Sequence, residues 1–327
     1  MSPDPDTTGA IGWLDLLDAL PVADRLSRVE FSEGSVLFRE ADTGQFFLIV
    51  LAGEADVHRH GRMIATVGPG SVLGELALLT GEPRSTTVTA RTAMACFRGT
   101  ADEFAELLDS DPIREHFTHL AASRLAENVD PVAFEGRNGF QGELRPLLPT
   151  DRPAYVELLG KLSPESRRRR FFSAGIPGTK LIDYLLHIDF VDHFAWVVLD
   201  RSTSPHTGVG IARFIRNDVD PHRAEAAFAV IDDFQGKGLG TIMLGALAVA
   251  AEAAGITTFT AEVLDENTPM RRVFSKVDAT WKRADRGVLA AVMSVARVKT
   301  VLSTDLQTAL ENATHGIGMA AATALKL

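Results

Sequence analysis

Phe228-Ala229-Val230-Ile231-Asp232-Asp233-Phe234-Gln235-Gly236-Lys237-Gly238-Leu239-Gly240-Thr241 runs from an apolar strand, through a glycine turn, into an alanine-rich helix. Glycines let a backbone approach oxygen atoms closely, and the free N–H groups and dipole at a helix start favour negative charge. The turn therefore has the chemistry of a phosphate cradle. Its glycine spacing is not that of a dinucleotide fingerprint, and it lacks the Lys-Ser/Thr ending of a nucleotide P-loop. Just upstream, strand alternation puts Glu225, Ala227 and Ala229 on one face. A carboxylate beside two small residues leaves room for a substrate. On the residues alone, Glu225 reads equally as a solvent-facing strand carboxylate.

Working outward, strands and helices alternate from residue 143 onward. Residues 142–148, 193–200, 208–217, 224–232, 258–264 and 288–296 read as strands, the second and third as a hairpin across 201–206. Residues 239–254 and 269–276 read as helices, and Thr150 or Asp151 can cap a helix after the first strand. This predicts an α+β domain with a mixed sheet over 143–300. A helical tail follows over 301–327, with a break expected at Gly316 and Gly318. Residues 129–142, with Pro131, Gly136 and Gly139, read as a linker.

The first part has a different texture. Between residues 30 and 97, short β-branched or aromatic runs alternate with Gly34, Gly44, Gly53, Gly61, Gly68 and Gly70. Many short strands with regular turns predict a small antiparallel barrel or roll. Helices are expected over 11–20 and 22–29 before it, and over 101–110 and 112–128 after it, giving a domain over 11–128. Inside this domain Gly74-Glu75-Leu76-Ala77-Leu78-Leu79 precedes Pro83-Arg84-Ser85. A glycine followed by a helical turn exposes N–H groups to an anion. Arg84 can make a two-pronged contact with a phosphate, and Ser85 adds a hydroxyl donor. Without further context, Glu75 and Arg84 read first as a pair closing a turn.

The chain has 327 residues, 46% of them hydrophobic, and a net charge of -10. That length suits two domains, and the acidic balance argues against a nucleic-acid-binding body. Cys96 is the single cysteine, which suits a reducing compartment. No segment reads as a secretory signal or as a membrane span, so a cytoplasmic protein without a membrane partner is expected.

Two resemblances sharpen these readings. The segment from Gly74 to Val88 is similar to the phosphate-binding cassette of cyclic-nucleotide-binding domains, over roughly residues 15–128. The resemblance implies that Gly74, Glu75, Leu76 and Ala77 supply backbone amides, that Glu75 holds a ribose hydroxyl, and that Arg84 and Ser85 bind the cyclic phosphate. Arg124, on the closing helix, is the candidate on the base side. Gln235-Gly236-Lys237-Gly238-Leu239-Gly240-Thr241 resembles the acyl-CoA pyrophosphate motif of GNAT N-acetyltransferases, over about 142–298. Residues 158–172 and the Asn267-to-Arg271 segment agree with it. This resemblance implies that Phe228, Ala229 and Val230 bind the pantetheine arm and that residues 236–241 hold the pyrophosphate. Asn267 and Arg271 are expected to contact the rest of the cofactor. The basic run Arg167 to Arg170 is read as a solvated helix face. No metal site is expected.

The order of domains resembles the actinobacterial cAMP-regulated protein lysine acetyltransferases. It implies transfer of an acetyl group from acetyl-CoA to lysines of proteins such as acyl-CoA synthetases, with cAMP as allosteric ligand. A small-amine acetyltransferase and a non-catalytic sensor of the same two ligands are the alternatives. A lysine amine has a reference pKa near 10.4, so holding it neutral at pH 7 costs about 4–5 kcal/mol and requires a base. The resemblance assigns that role to Glu225. Tyr155 and Tyr184 are the only tyrosines, and neither falls in the later helix where many GNAT enzymes carry an acid. His193 reads as structural. In the family a lid histidine can block the acceptor site, yet no histidine lies between His119 and His187 here.

Overall fold

A computed structural model describes residues 21–324. The helix expected over 11–20 lies outside them. Contacts divide the chain into two compact units, residues up to 121 and residues from 122 onward.

The first unit is a β-roll. Its elements are β1 (Ser27–Phe31), β2 (Val36–Phe38), β3 (Phe46–Ala52), β4 (Ala55–Arg59), β5 (Arg62–Val67), β6 (Val72–Leu73), α1 (Glu75–Thr80), β7 (Thr87–Ala90), β8 (Met94–Thr100) and α2 (Ala101–Leu107). α3 (Asp111–Glu127) follows. Two four-stranded sheets form, in the orders β1-β8-β3-β6 and β2-β7-β4-β5. Strand β3 is buried on both faces, which explains its unbroken apolar run. Phe47 and Ile49 pack against Leu26, Phe104 and Leu107. Leu48 and Val50 point the other way, among Leu37, Val88, Met94 and Cys96. Thr100 caps α2 in a reciprocal capping box with Glu103.

The helix expected over 22–29 is replaced by one 3₁₀ turn, Ala23–Arg25, followed by β1. Pairing with β8, Val29 opposite Cys96, outweighs the local helical pattern.

The second unit contains β9 (Val132–Glu135), β10 (Gln141–Pro146), α4 (Arg152–Lys161), α5 (Pro164–Phe171), α6 (Thr179–Leu186), β11 (His193–Asp200), β12 (Thr207–Arg216) and β13 (Arg223–Val230). There follow α7 (Leu239–Ala253), β14 (Thr258–Leu264), α8 (Thr268–Ser275), β15 (Thr280–Asp285), β16 (Val288–Ser294), α9 (Val295–Lys299) and α10 (Thr304–Ala324). The eight strands form one sheet in the order β15-β16-β14-β13-β12-β11-β10-β9. Only β13 and β14 run parallel. The fold is α+β with a mixed sheet. Buried α7 packs on one face, where Trp196 Nε1 donates to Ala246 O at 3.0 Å.

Two expectations need correction. Residues 129–142 contain an edge strand, β9, with Val132 and Phe134 buried and Ala133 and Glu135 exposed. Four residues are too short for their alternation to stand out among prolines and glycines. The tail helix runs through Gly316 and Gly318 without a break. Both glycines serve packing: a Cβ at 318 would lie 2.5 Å from the Ala253 Cβ, and one at 316 would lie 3.2 Å from Leu125.

Candidate functional site

In the roll, β6 gives way to Gly74, the N-cap of α1, whose φ of 84° is left-handed. A Cβ at this position would also sit 2.3 Å from Arg84 Nη1, so any side chain there would displace Arg84. Arg84 is 3% exposed and Glu75 1%. Arg84 Nη1 donates to Gly74 O and Nη2 to Phe46 O, each at 2.6 Å. Its Cζ lies 4.4 Å from the Phe38 ring centre and 4.8 Å from that of Phe46. Burial lowers the Arg84 pKa, with Glu75 and Asp42 pulling the other way. Its Nε is buried without a hydrogen-bond partner. A buried guanidinium held by neutral carbonyls, with its Nε–H unspent, fits an anionic ligand. Leu76 and Ser85 are half-buried beside it, and Ala77 is buried. Arg124 falls among the residues of the second unit.

In the second unit, β13 and β14 pair in register only at Arg223 with Thr258, Ala224 with Phe259 and Glu225 with Thr260. Strand β13 continues to Val230 while remaining paired with β12. Beyond Glu225 the two parallel strands therefore part, and one backbone edge of β13 is left open. The chain then makes a 3₁₀ turn, Asp232–Phe234, and enters α7 through Gly236 and Gly238, at φ 79° and 85°. Gly238 offers no side-chain cap, so the first N–H groups of α7 remain free for a ligand.

A cavity of about 310 Å³ opens at this point. It is lined by Phe228, Ala229, Val230, Gln235, Gly236, Gly238, Leu239, Gly240, Thr241 and Asn267, all singled out in the sequence. Arg137, Arg169, Arg170, Arg272 and Lys276 also line it, and no acidic residue does. Five cations in a chain of net charge -10 make a local field suited to several phosphate groups. The donors and the shape fit a CoA-type cofactor.

Two expected residues are placed elsewhere. The Lys237 ammonium lies over Phe234, 4.3 Å from its ring centre, and over Phe140. Arg271 donates to Asp265 O and Oδ1, both at 3.1 Å, and the helical phase of α8 turns Arg272 to the cavity instead. Asn267 is 4% exposed, and its side chain caps α8 by accepting from Met270 N at 3.2 Å. The arginine run is also corrected. Arg167 and Arg168 are tied to Leu162, Ala174, Glu165 and Glu266, whereas Arg170 and Arg169 line the cavity, Arg169 while also paired with Glu165 at 2.9 Å.

A smaller pocket of about 30 Å³ adjoins it, lined by Glu225, Ala227, Phe172, Phe274 and Glu262. Arg169, Arg170, Phe228, Asn267 and Met270 line both spaces. Glu225 is exposed on its strand and carries no ion pair among the described residues. Burial lowers the Arg170 pKa, while Tyr155 and Glu225 act to raise it. Arg170, Arg272 and Glu262 were not expected from sequence. Glu262 carries a readable signal, since strand alternation places it on the face of Thr260, opposite Glu225 in the register.

His193 lines neither space. Its Nδ1 donates to His187 O at 2.9 Å, and its Nε2 accepts from Arg213 Nη1 at 2.8 Å. Burial and then Arg213 bring its pKa down to about 4, so the ring is neutral. Tyr155 accepts from Arg213 Nη2 at 3.1 Å and is likewise outside both spaces.

A roll with a caged arginine at a glycine-started helical turn, joined to a parting mixed sheet with a cationic glycine cradle, defines a nucleotide-binding module fused to an acyl-CoA-dependent transferase. Residues 28–111 match the cyclic nucleotide-binding domain and residues 143–280 the acetyltransferase (GNAT) domain. Acetyltransferase Pat of Mycolicibacterium smegmatis is 33% identical over 285 residues, which are 86% of this chain and 85% of Pat. The chain belongs to this family of acetyltransferases. A variant of the cAMP-binding acyltransferase from Mycobacterium smegmatis superposes with a TM-score of 0.50 at 31% identity, covering 92% of this chain and 91% of that one. The cAMP-dependent protein kinase regulatory subunit of Debaryomyces hansenii is 31% identical over 97 residues, 29% of this chain and 22% of the subunit.

Proposed function

We propose that this enzyme transfers the acetyl group of acetyl-CoA to lysine side chains of proteins, acyl-CoA synthetases among them, and that cAMP bound in the roll controls the rate. The observation that carries the reading is the five-cation, acid-free cavity that meets the Glu225 pocket where β13 and β14 part.

Acetyl-CoA supplies the activated acyl group when bound. Arg137, Arg272 and Lys276, with the free N–H groups at Leu239 and Gly240, hold its phosphates. The open edge at Phe228, Ala229 and Val230 takes the pantetheine amides as a further strand would. Ala227 and Ala229 leave space above the strand for the acceptor amine. Glu225 receives the proton of the lysine ammonium, directly or through one water. Donors preorganised along the open edge stabilise the developing oxyanion. No tyrosine lines either space, so water protonates the leaving thiolate.

In the roll, Arg84 and Ser85 take the cyclic phosphate and Glu75 the ribose hydroxyl. Regulation is a difference in nucleotide affinity between two states of the enzyme, typically about 1–3 kcal/mol and reciprocal. The absence of a histidine between His119 and His187 leaves any block of the acceptor site to other residues.

The test is acetyl-lysine formation on an acyl-CoA synthetase, with and without cAMP or cGMP, for wild type and Arg84→Ala. Stimulation by cAMP in the wild type alone is expected. A rate indifferent to nucleotide in both proteins removes the regulation. No acetyl-lysine across a broad protein panel removes the protein substrate.

A further inference from the structure

Asp232 lies in the 3₁₀ turn after β13 and has no part in the chemistry above. Its carboxylate accepts from Ser163 N at 2.9 Å, from Ser163 Oγ at 2.7 Å and from Ser166 Oγ at 2.9 Å. Ser163 is the N-cap of α5, and its hydroxyl accepts from Ser166 N at 3.1 Å. The Ser166 hydroxyl also accepts from Gln235 Nε2 at 3.0 Å, and the same amide donates to Val230 O at 3.1 Å. Asp232, Ser166 and Gln235 thus close one network between the first turn of α5 and the cofactor turn. Partial burial acts to raise the Asp232 pKa, but the bonds from Ser163 and Ser166 prevail and hold it below the usual carboxylate range.

The course of α5 gives this anchor a reach. At about 1.5 Å per residue, a helix of this length covers roughly 12 Å. Ser166, Arg169 and Arg170 line the cofactor cavity. Arg169, Arg170 and Phe172 line the pocket that contains Glu225. One short helix therefore runs from the cofactor turn to the acceptor pocket, and the Asp232 network fixes its near end.

We propose that Asp232 is a positioning residue that couples the two subsites. It ties α5 to the cofactor turn, so the shape the turn takes around a CoA pyrophosphate is passed along α5 to Arg170 and Phe172. The proposal rests on the cofactor occupying the cationic cavity as inferred above. It does not depend on which amine is the acceptor. The coupling is reciprocal: an acceptor that orders α5 also tightens CoA binding.

Hydrogen–deuterium exchange on the full chain, with and without CoA, tests this. In the wild type, CoA slows exchange at residues 236–241 and also at 164–172. In Asp232→Ala, residues 236–241 remain protected while 164–172 exchange as in the free protein. Ser166→Ala, which removes the Ser166 bonds to both Asp232 and Gln235 and keeps the two Ser163 bonds to the carboxylate, weakens the protection of 164–172 in the same direction and serves if the first variant does not fold. With a lysine peptide, kcat/KM falls about 10- to 100-fold in either variant, the scale of a 1 Å misplacement. The KM for acetyl-CoA moves less than about threefold. Equal protection of α5 by CoA in wild type and a folded variant overturns the proposal, as does its absence in the wild type. If the exchange pattern holds but wild type acetylates no lysine, the substrate reading fails and the coupling stands.

Discussion

Replacing Gly74 by alanine strikes the nucleotide cradle twice. The residue sits at φ 84°, where an alanine pays roughly 1–2 kcal/mol of backbone strain. The new Cβ also falls 2.3 Å from Arg84 Nη1 and 2.9 Å from its Cζ, well inside contact distance. Arg84 must leave the Gly74 carbonyl, which it now reaches at 2.6 Å. A hydrogen bond to a charged group contributes about 1.5–3 kcal/mol. Gly81 provides the matched control, because it closes the same helix at φ 73° and a Cβ there meets nothing within 4 Å. Gly81→Ala therefore carries the backbone strain alone. Both variants should unfold at lower temperature than wild type. Only Gly74→Ala should bind cAMP more weakly, by about ten- to hundredfold relative to Gly81→Ala, from the 1.5–3 kcal/mol at stake. Calorimetric titration of cAMP into each protein reads the difference. Equal affinity in the two variants would refute the claim that Arg84, held against Gly74, is the phosphate ligand.

Glu225→Gln should lower kcat about 10²- to 10⁴-fold at pH 7 while leaving CoA affinity unchanged, checked by steady-state kinetics and direct titration. Glu262→Gln should raise the KM for a lysine peptide several-fold and spare kcat, because Glu262 lines the acceptor pocket; unchanged KM would remove it from acceptor recognition. His193, depressed to about 4 from an unfolded value of 6.5, favours folding fully above pH 6.5 and loses that contribution as pH falls toward 4. Denaturant unfolding should show about 3 kcal/mol lost across that window, and a flatter profile in His193→Gln. Burial pushes the Cys96 thiol up to about 11, so thiol reagents at pH 8 should label the protein only at the rate of unfolding.

What could be read from the sequence was local. The glycine turn after β13, the alternation around Glu225 and the Gly74-to-Ser85 cassette all signal through neighbours in the chain. What escaped was set by partners distant in sequence. The facing of Arg169 and Arg170 depends on how α5 is tied to Asp232, 69 residues from Ser163. The exchange of Arg271 for Arg272 is a matter of helix phase, decided when Asp265 engages Arg271. Strand β1 exists because β8 waits for it, and β9 because β10 does. The glycines at 316 and 318 are helix breakers by propensity and contact points in the fold.

The cationic cavity has a consequence for the cell's chemistry. In the proposed binding mode its charges would lie along the part of the cofactor that acetyl-CoA and free CoA share, and the acetyl group would reach only the small pocket by Glu225. Binding energy of this kind is nearly the same for donor and spent carrier. Free CoA then competes with acetyl-CoA on close to equal terms, and turnover follows the ratio of the two pools. An enzyme built this way acts as a gauge of acetyl charge, with the cyclic nucleotide setting when the gauge is read.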